Sequence, residues 1–333
     1  MKPLRFCAAL FLSLPLATMM STAAVAATLD IAVIPKGTSH EFWKSIHAGA
    51  VKAQQELSAK GTKVNVIWKG PLREDDRDQQ IQVVENFVAR RVSGIVLAPL
   101  DSTALVAPAE NAMRARVPVV IIDSGLKSDQ IVSYISTDNF KGGQLGAAHL
   151  AKLLNGKGNV ILLRYQVGSA STEEREAGFL DEIKKHKDIK VVSSDQYSGP
   201  TRDSAYQASQ NLLNRYGKDL QGIFAPCEPV TIGVLMALKD IGKAGGAVQL
   251  VGFDSGTQSV DGLKTGDVQG LVVQNPLNMG YLGVMTIVEH IQKKKVAKRV
   301  DTGVRMATPQ NMNEPEIREL IYPPFAKYLG ESK

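Results

Sequence analysis

Short apolar runs alternate along the chain with longer segments whose apolar residues recur every three or four positions. The short runs have the composition of buried strands, and the longer segments have the period of amphipathic helices. The segment Asp75–Arg90, for example, carries Ile81, Val84, Phe87 and Val88 on one face. Alternating strands and helices predict an α/β fold in which helices cover both faces of parallel sheets.

This alternation fills two successive halves of the chain. The predicted strands are Leu29–Ile34, Val64–Trp68, Gly94–Ala98, Val119–Ile122, Ile131–Ile135, Asn159–Leu163, Lys190–Ser194, Gly222–Ala225, Val248–Gly252 and Leu271–Val273. The predicted helices are Asp75–Arg90, Ala104–Ala115, Gly142–Leu154, Ser171–Lys185, Arg202–Tyr216, Val230–Ile241 and Gly280–Lys293. Two halves of roughly 110–140 residues each have the usual size of a domain.

The segment Leu29–Trp43 combines a strand, a Pro-Lys-Gly break and the start of a helix. Thr38 and Glu41 have the spacing of a capping box, in which both side chains bind free backbone N–H groups of the helix. Ser171 and Glu174 form a second candidate box. Phe42 and Trp43 follow at the strand-to-helix junction, where α/β sheets bind ligands. Burial of both rings in the core is the alternative interpretation.

The first 27 residues resemble an export signal. Lys2 and Arg5 precede the apolar stretch Phe6–Leu16, and Ala24-Val25-Ala26 forms a small-x-small cleavage site. We therefore expect a protein that is exported to the periplasm. The apolar stretch is too short to span a bilayer as a stable helix.

The charge distribution argues against nucleic-acid binding, and the cysteine content argues against an internal disulfide. The net charge of +6 falls to +4 without Lys2 and Arg5, and the basic residues are spread along the chain. A nucleic-acid-binding protein would have a clustered basic patch instead. Cys227 is the only cysteine after the predicted signal, so an internal disulfide is excluded.

Polar residues follow several of the predicted strands. Asp123, Asp254 and Gln274 each end an apolar strand, and such ends face the ligand crevice of a parallel sheet. An isolated aspartate at this place is more often a turn or cap residue. Carboxylates and amides beside aromatic rings nevertheless suit a sugar, whose C–H faces stack on rings and whose hydroxyls form hydrogen bonds.

The chain resembles the periplasmic sugar-binding proteins of the ribose- and galactose-binding type. The similarity covers essentially the whole chain after the predicted signal. It rests on these segments, in this order: IAVIPKGTSHEFWKSIHAGA, GIVLAPLDSTAL, VPVVIIDSG, ISTDNFKGGQLGA, EREAGF, IFAPCEPVTIGVLMAL, VGFDSG and LVVQNP.

The resemblance implies two Rossmann-like lobes joined by three hinge strands, with the ligand in the cleft between them. It places one lobe at residues 28–137 plus 275–303, and the other at residues 138–274 plus 304–333. The crossings are expected near Thr137–Asn139, Gln274–Pro276 and Thr302–Val304.

The resemblance also implies a set of ligand-binding residues. Phe42 and Trp43 match the stacking aromatics, while Asp123, Asp254 and Gln274 match polar groups that bind hydroxyls. Four further positions are carried as candidates: His40, Glu173 and Cys227, which depart from the usual pattern, and Arg175, which lies two residues after the position where an arginine is usual. Glu173 is also consistent with a first-turn acid, Arg175 with a structural ion pair, Cys227 with a buried thiol, and the neighbouring Glu228 with a cap.

The expected function is capture of a sugar or polyol and delivery to an inner-membrane ABC permease. A sensor that presents its ligand to a chemoreceptor or histidine kinase is the alternative, as is a binder of a non-sugar small molecule. We expect a monomer, not an enzyme, without cofactor or metal. The chain has no G-x-G-x-x-G after its first strand, no phosphate-binding P-loop and no histidines at metal-ligand spacing.

Overall fold

The computed structural model describes residues 27–330, apart from the side chain of residue 326. The predicted export signal thus lies outside the described residues, except for Ala27. Within the described part of the chain, no helix is long and apolar enough to cross a membrane.

Twelve strands form two sheets of six. In chain order they are β1 (Leu29–Ile34), β2 (Val64–Trp68), β3 (Gly94–Leu97), β4 (Val119–Ile122), β5 (Ser133–Ser136), β6 (Lys157–Leu162), β7 (Asp188–Ser193), β8 (Gly222–Phe224), β9 (Gln249–Phe253), β10 (Gly270–Val273), β11 (Arg299–Asp301) and β12 (Arg305–Ala307). The first sheet has the order β2-β1-β3-β4-β5-β11 and the second β7-β6-β8-β9-β10-β12. All strand pairs are parallel except β10 with β12.

Helices cover both sheets. They are α1 (Glu41–Ala59), α2 (Arg77–Ala89), α3 (Val106–Arg114), α4 (Asn139–Leu153), α5 (Ala170–Ile183), α6 (Arg202–Tyr216), α7 (Glu228–Asp240), α8 (Thr257–Thr265), α9 (Pro276–Ile291), α10 (Pro315–Ile321) and α11 (Phe325–Leu329), with a 3₁₀ turn at Gly217–Asp219. Central strands such as β3 and β4 are buried throughout. For this reason they appear in the sequence as continuous apolar runs. The predicted α/β fold with two lobes is confirmed.

The chain passes between the two sheets three times. It leaves the first sheet after β5, returns after β10 and crosses again between β11 and β12. Helix α9 packs against α1 in the first lobe. Two crossings also touch, because the Thr137 hydroxyl donates to the carbonyl of Gly303 at 3.1 Å. The three connections lie at the positions where the resemblance implies hinge strands.

Two helices at these crossings begin earlier than the apolar period predicts. Helix α4 begins at Asn139 and α9 at Pro276, rather than at Gly142 and Gly280. Polar N-caps start them: Asp138 accepts from the backbone N–H of Lys141, and Asn275 from that of Asn278. Apolar periodicity does not register these starts, because the residues that set them are polar caps outside the apolar stripe.

Both predicted capping boxes are wrong. Helix α1 has His40 as its N-cap and α5 has Ser169, neither with a capping side-chain hydrogen bond. The Thr38 hydroxyl donates instead to the carbonyl of Pro71. The carboxylate of Glu41 binds a residue of the other lobe, as described below.

The C-terminal tail contacts both lobes. Ile317 and Ile321 of α10 are buried in the core of the second lobe. After Pro323 and Pro324 the chain reaches the first lobe, where α11 packs against α1. The expected assignment of the whole tail to the second lobe therefore describes α10 but not α11.

Candidate functional site

The strand ends of the two sheets face each other across a narrow cavity. Both lobes line it, through Lys36, His40, Phe42, Trp43, Glu74, Asp123, Tyr165, Ser171, Thr172, Arg175, Cys227, Glu228, Pro229, Asp254 and Gln274.

The aromatic pair Phe42 and Trp43 lies on the first-lobe side of the cavity. Their ring centroids are 5.0 Å apart at 87°, an edge-to-face arrangement. Trp43 is only 3% exposed and belongs to the core of the first lobe. Core packing and cavity lining therefore occur together, because the core side chains fix the ring that faces the cleft.

Asp123 follows β4 with a positive φ of 63°. Lys36, which follows β1, places its Nζ 3.3 Å from Asp123 Oδ2. The same ammonium donates to the hydroxyls of Ser169 and Ser171, at 3.2 and 3.0 Å. Because these serines belong to the second lobe, the ion pair of the first lobe is completed by groups from across the cleft.

Asp254 occupies the equivalent place after β9, with a φ of 70°. Its carboxylate accepts from Gln274 Nε2 at 2.7 Å and from the backbone N–H of Glu228 at 3.2 Å. Burial raises the pKa of Asp254 to about 6, although Arg175 and Gln274 act in the opposite direction. Gln274 Oε1 is buried without a hydrogen-bond partner among the described residues, so it is an acceptor available to a ligand.

Arg175 is a buried cation of the second lobe. Its Nε donates to Asn139 Oδ1 at 2.8 Å, and its Nη1 donates to the carbonyl of Pro226 at 2.9 Å. Nη1 also lies 3.8 Å from Asp254 Oδ2, and the guanidinium stacks 3.9 Å above the ring of Phe253. Since all these partners belong to one lobe, Arg175 is held in place independently of closure.

Glu74, in the loop after β2, is a cavity residue that sequence reasoning missed. Its Oε1 lies 2.6 Å from His40 Nδ1 and accepts from Trp43 Nε1 at 2.7 Å. Its Oε2 accepts from the hydroxyl of Tyr165, in the second lobe, at 2.8 Å. Burial opposes the charge, but the hydrogen bond and charge of His40, with Lys36 and Trp43, lower the pKa of Glu74 to about 2. Burial likewise disfavours protonated His40, yet Glu74 raises the pKa of that imidazole.

Glu228 is both the first residue of α7 and part of the cavity wall. Its Oε1 accepts from Arg202 Nη2 at 2.7 Å, and its Oε2 accepts from the backbone N–H of Phe42 at 3.0 Å. The sequence interpretation of Glu228 as a cap thus points to the correct chemistry, although the helix that it caps belongs to the other lobe.

Each of the four carboxylates in the cavity wall lies beside a basic side chain: three beside a lysine or arginine, and Glu74 beside a histidine whose pKa it raises. The pairs are Asp123 with Lys36, Glu74 with His40, Asp254 with Arg175, and Glu228 with Arg202. A buried charge is costly unless it is paired. The described wall offers no unpaired charge for the counter-charge of an ionic ligand, and its polar groups suit a neutral hydroxylated molecule.

The structure brings eight of the nine predicted site residues together around this cavity and leaves one outside. Glu173 does not line it, and its Oε1 accepts from the backbone N–H of Gly168 at 2.8 Å. Cys227 is 7% exposed, and burial raises the pKa of its thiol. Among the described residues no cluster of histidine, cysteine and acidic side chains could hold a metal ion.

Lys36, Tyr165, Ser171 and Thr172 also line the cavity without having been predicted. Lys36 follows β1 within two residues, so the strand-end rule that selects Asp123 would have found it. Tyr165 follows β6 within three residues. Glu74 had no such signal, because it lies in an irregular loop six residues beyond the end of β2.

A family model described as periplasmic binding protein domain matches residues 31–295. Among curated proteins, the ribose import binding protein RbsB of Haemophilus influenzae is 28% identical over 286 residues, covering 86% of this chain and 93% of that protein. The D-allose-binding periplasmic protein of Escherichia coli is 29% identical, with 84% of this chain and 89% of that protein covered.

Two solved structures of solute-binding proteins are similar over their whole length. One, from Agrobacterium radiobacter in complex with D-arabinose, has a TM-score of 0.83 and 34% identity, covering 89% of this chain and 99% of its own. The other, from Agrobacterium vitis with bound D-fucose, has a TM-score of 0.83 and 35% identity, covering 88% of this chain and 100% of its own.

Proposed function

This chain belongs to the periplasmic binding protein family, in its type I sugar-binding group, and we propose that it captures a neutral monosaccharide or polyol and delivers it to an ABC transporter. The family consists of substrate-binding transport proteins rather than enzymes, which confirms the expectation that the chain is not an enzyme. The proposal concerns the class of ligand and the delivery step.

The observation that carries the ligand class is the paired charge of the cavity wall. A sugar acid or an amino acid would introduce a carboxylate beside carboxylates whose cations are already occupied, at a high desolvation cost. The hydroxyls of a neutral sugar can instead donate hydrogen bonds to the carboxylates and to the unpaired Gln274 Oε1, and can accept from Arg175. The rings of Phe42 and Trp43 suit its apolar C–H face.

The similar structures support a single sugar ring as the ligand, because they are complexes with the monosaccharides D-arabinose and D-fucose.

Closure of the two lobes is the proposed mechanism. The lobes, residues 28–137 plus 275–303 and residues 138–274 plus 304–321, would rotate about the three crossings, with α11 remaining against the first lobe. An open form exchanges ligand, and contacts from both walls favour the closed form, which the permease recognises. Periplasmic location and an inner-membrane permease partner follow from the family and from the predicted export signal. A chemoreceptor or sensor-kinase partner and the monomeric state stay predictions.

A thermal-shift screen of the mature protein, partly unfolded and refolded to remove carried-over ligand, tests this function. Pentoses, hexoses, deoxysugars, polyols, sugar acids, amino sugars and amino acids form the panel. Tight binding to the native state raises the melting temperature by mass action. We expect a stereospecific rise with a neutral sugar or polyol. A rise only with amino acids or sugar acids would contradict the proposed ligand class.

A further inference from the structure

Two helices meet at the mouth of the cleft without a side-chain cap from their own N-cap residue. The N-cap of α1 is His40, whose side chain makes no capping hydrogen bond, and the N-cap of α8 is Gly256. The first N–H groups of a helix have no partner within the helix. Here they are bound by carboxylates from the opposite lobe.

The two contacts are reciprocal. Glu228 of the second lobe accepts from the backbone N–H of Phe42, the second residue of α1, at 3.0 Å. Glu41 of the first lobe accepts from the backbone N–H and the hydroxyl of Thr257, the first residue of α8, at 2.8 and 2.7 Å. Each lobe therefore supplies the carboxylate that caps a helix of the other.

We propose that these reciprocal caps form a latch that holds the two lobes closed in the absence of ligand. The caps exist only when the lobes are closed, because each joins groups from different lobes. A carboxylate at a helix N-terminus is favourable through both its hydrogen bonds and the helix dipole. When the lobes separate, water replaces these partners and that favourable contribution is lost.

Glu41 makes this latch separable from ligand binding. It does not line the cavity, and it interacts with Thr257 at the partly exposed mouth of the cleft. It therefore changes the balance between open and closed forms without touching a bound molecule. A more populated closed form slows ligand release and strengthens apparent affinity.

Glu228 has a second role that links the latch to the cavity. Its other oxygen, Oε1, accepts from Arg202, and its side chain lines the cavity. The Arg202 contact fixes the carboxylate from within the second lobe, so that it is already oriented when α1 approaches. The latch thus has one half at the cavity wall and one half outside it.

The test uses the thiol of Cys227, the only cysteine of the mature chain. This thiol lines the closed cavity and is 7% exposed, so its rate of reaction with Ellman's reagent reports opening. In ligand-free protein we expect Glu41→Gln to raise this rate about fivefold, because the loss of a typical helix cap shifts the ratio of open to closed molecules by about that factor. Small-angle X-ray scattering should show a larger radius of gyration for the same variant.

Asp203→Asn is the matched control, because Asp203 is an exposed first-turn carboxylate of α6. It should leave the thiol rate and the radius of gyration unchanged. Thr257→Val, which keeps the backbone N–H and loses the hydroxyl, should raise the rate about twofold and carries the test if Glu41→Gln does not fold.

An unchanged rate in Glu41→Gln, or a wild-type thiol that already reacts as fast as in unfolded protein, overturns the latch. An equal increase in Asp203→Asn also overturns it. The inference rests on the lobe motion proposed above but not on the ligand. The thiol assay contains no sugar. A negative result in it is therefore distinguishable from a negative result in the thermal-shift screen.

Discussion

The two walls of the cleft contain equivalent aspartates in different surroundings. Asp123 and Asp254 each follow the fourth strand of their lobe and each have a left-handed backbone, with φ values of 63° and 70°. Asp254 is surrounded by Arg175, Gln274 and the N–H of Glu228. Asp123 pairs with Lys36, whose remaining hydrogen bonds go to serines of the opposite lobe.

This difference indicates that the two aspartates depend on different contacts: those of Asp254 lie within one lobe, and those around Asp123 also involve the other lobe. The surroundings of Asp254 are supplied by its own lobe, so we expect them to form before the proposed closure. The surroundings of Asp123 include serines of the opposite lobe, so we expect them to be completed only by closure. Substitutions in the second wall should therefore affect folding, and substitutions in the first should affect closing.

The largest effect is expected from Arg175→Met. It leaves Asp254, Asn139 Oδ1 and the Pro226 carbonyl buried without their cationic partner. Breaking a buried ion pair on one side costs about 3–5 kcal/mol, and urea unfolding should show a loss of that order. A loss below about 1 kcal/mol would mean that the second wall is not held by this residue.

Ser171→Ala should separate closing from folding. The substitution removes the hydroxyl that accepts from Lys36 Nζ across the cleft, and it leaves the ion pair of Lys36 with Asp123 intact. For the sugar that gives the largest thermal shift, calorimetry should show affinity about tenfold weaker, the scale of a lost charged hydrogen bond. The free energy of unfolding of the ligand-free protein should change much less than in Arg175→Met. Equal losses of stability in both variants would contradict the distinction between the walls.

The walls should also respond oppositely to pH. The pKa of Glu74 is lowered to about 2 in the folded protein, so its contribution to stability is present above its usual pKa and is lost as the pH falls towards 2. The pKa of Asp254 is raised to about 6, so its contribution is present at about pH 4 and is lost as the pH rises through 6.

Urea unfolding at several pH values tests both directions of the predicted pH dependence. Glu74→Gln should flatten the acid side of the stability profile, and Asp254→Asn should flatten the region between about pH 4 and 6. If either variant follows the wild-type slope in its window, the charge state assigned to that carboxylate is wrong.

The smallest effect is expected from Glu173→Gln. Its carboxylate accepts from the N–H of Gly168 and does not line the cavity. The affinity for the identified sugar should change less than about twofold, within the range of exposed substitutions, whereas Asp254→Asn should weaken it strongly. Comparable losses of affinity in the two variants would indicate that Glu173 belongs to the binding site.

The sequence predicted the strands and the residues that directly follow them. Apolar runs located the central strands, and the rule for parallel strand ends located Asp123, Asp254 and Gln274. The three crossings came from the resemblance, because the short strands β11 and β12 have mixed exposure and no apolar pattern.

Residues whose roles depend on tertiary contacts were beyond sequence reasoning. Glu74 reaches the cavity through an irregular loop, and local sequence gives Glu41 a cap on its own helix rather than on a helix of the other lobe. Glu173 and Arg175 were both candidates, yet two positions apart on a helix point to different sides. Only Arg175 faces the cleft.

We expect the cavity to accept a neutral sugar because its own charges are paired. Isothermal titration of the refolded protein with matched pairs tests it most directly: D-fucose with D-galacturonate, D-glucose with D-glucuronate, and the sugar from the thermal screen with its uronic acid. We expect at least one neutral sugar to bind and its acid to bind at least tenfold more weakly. Tighter binding of the acid member would contradict it.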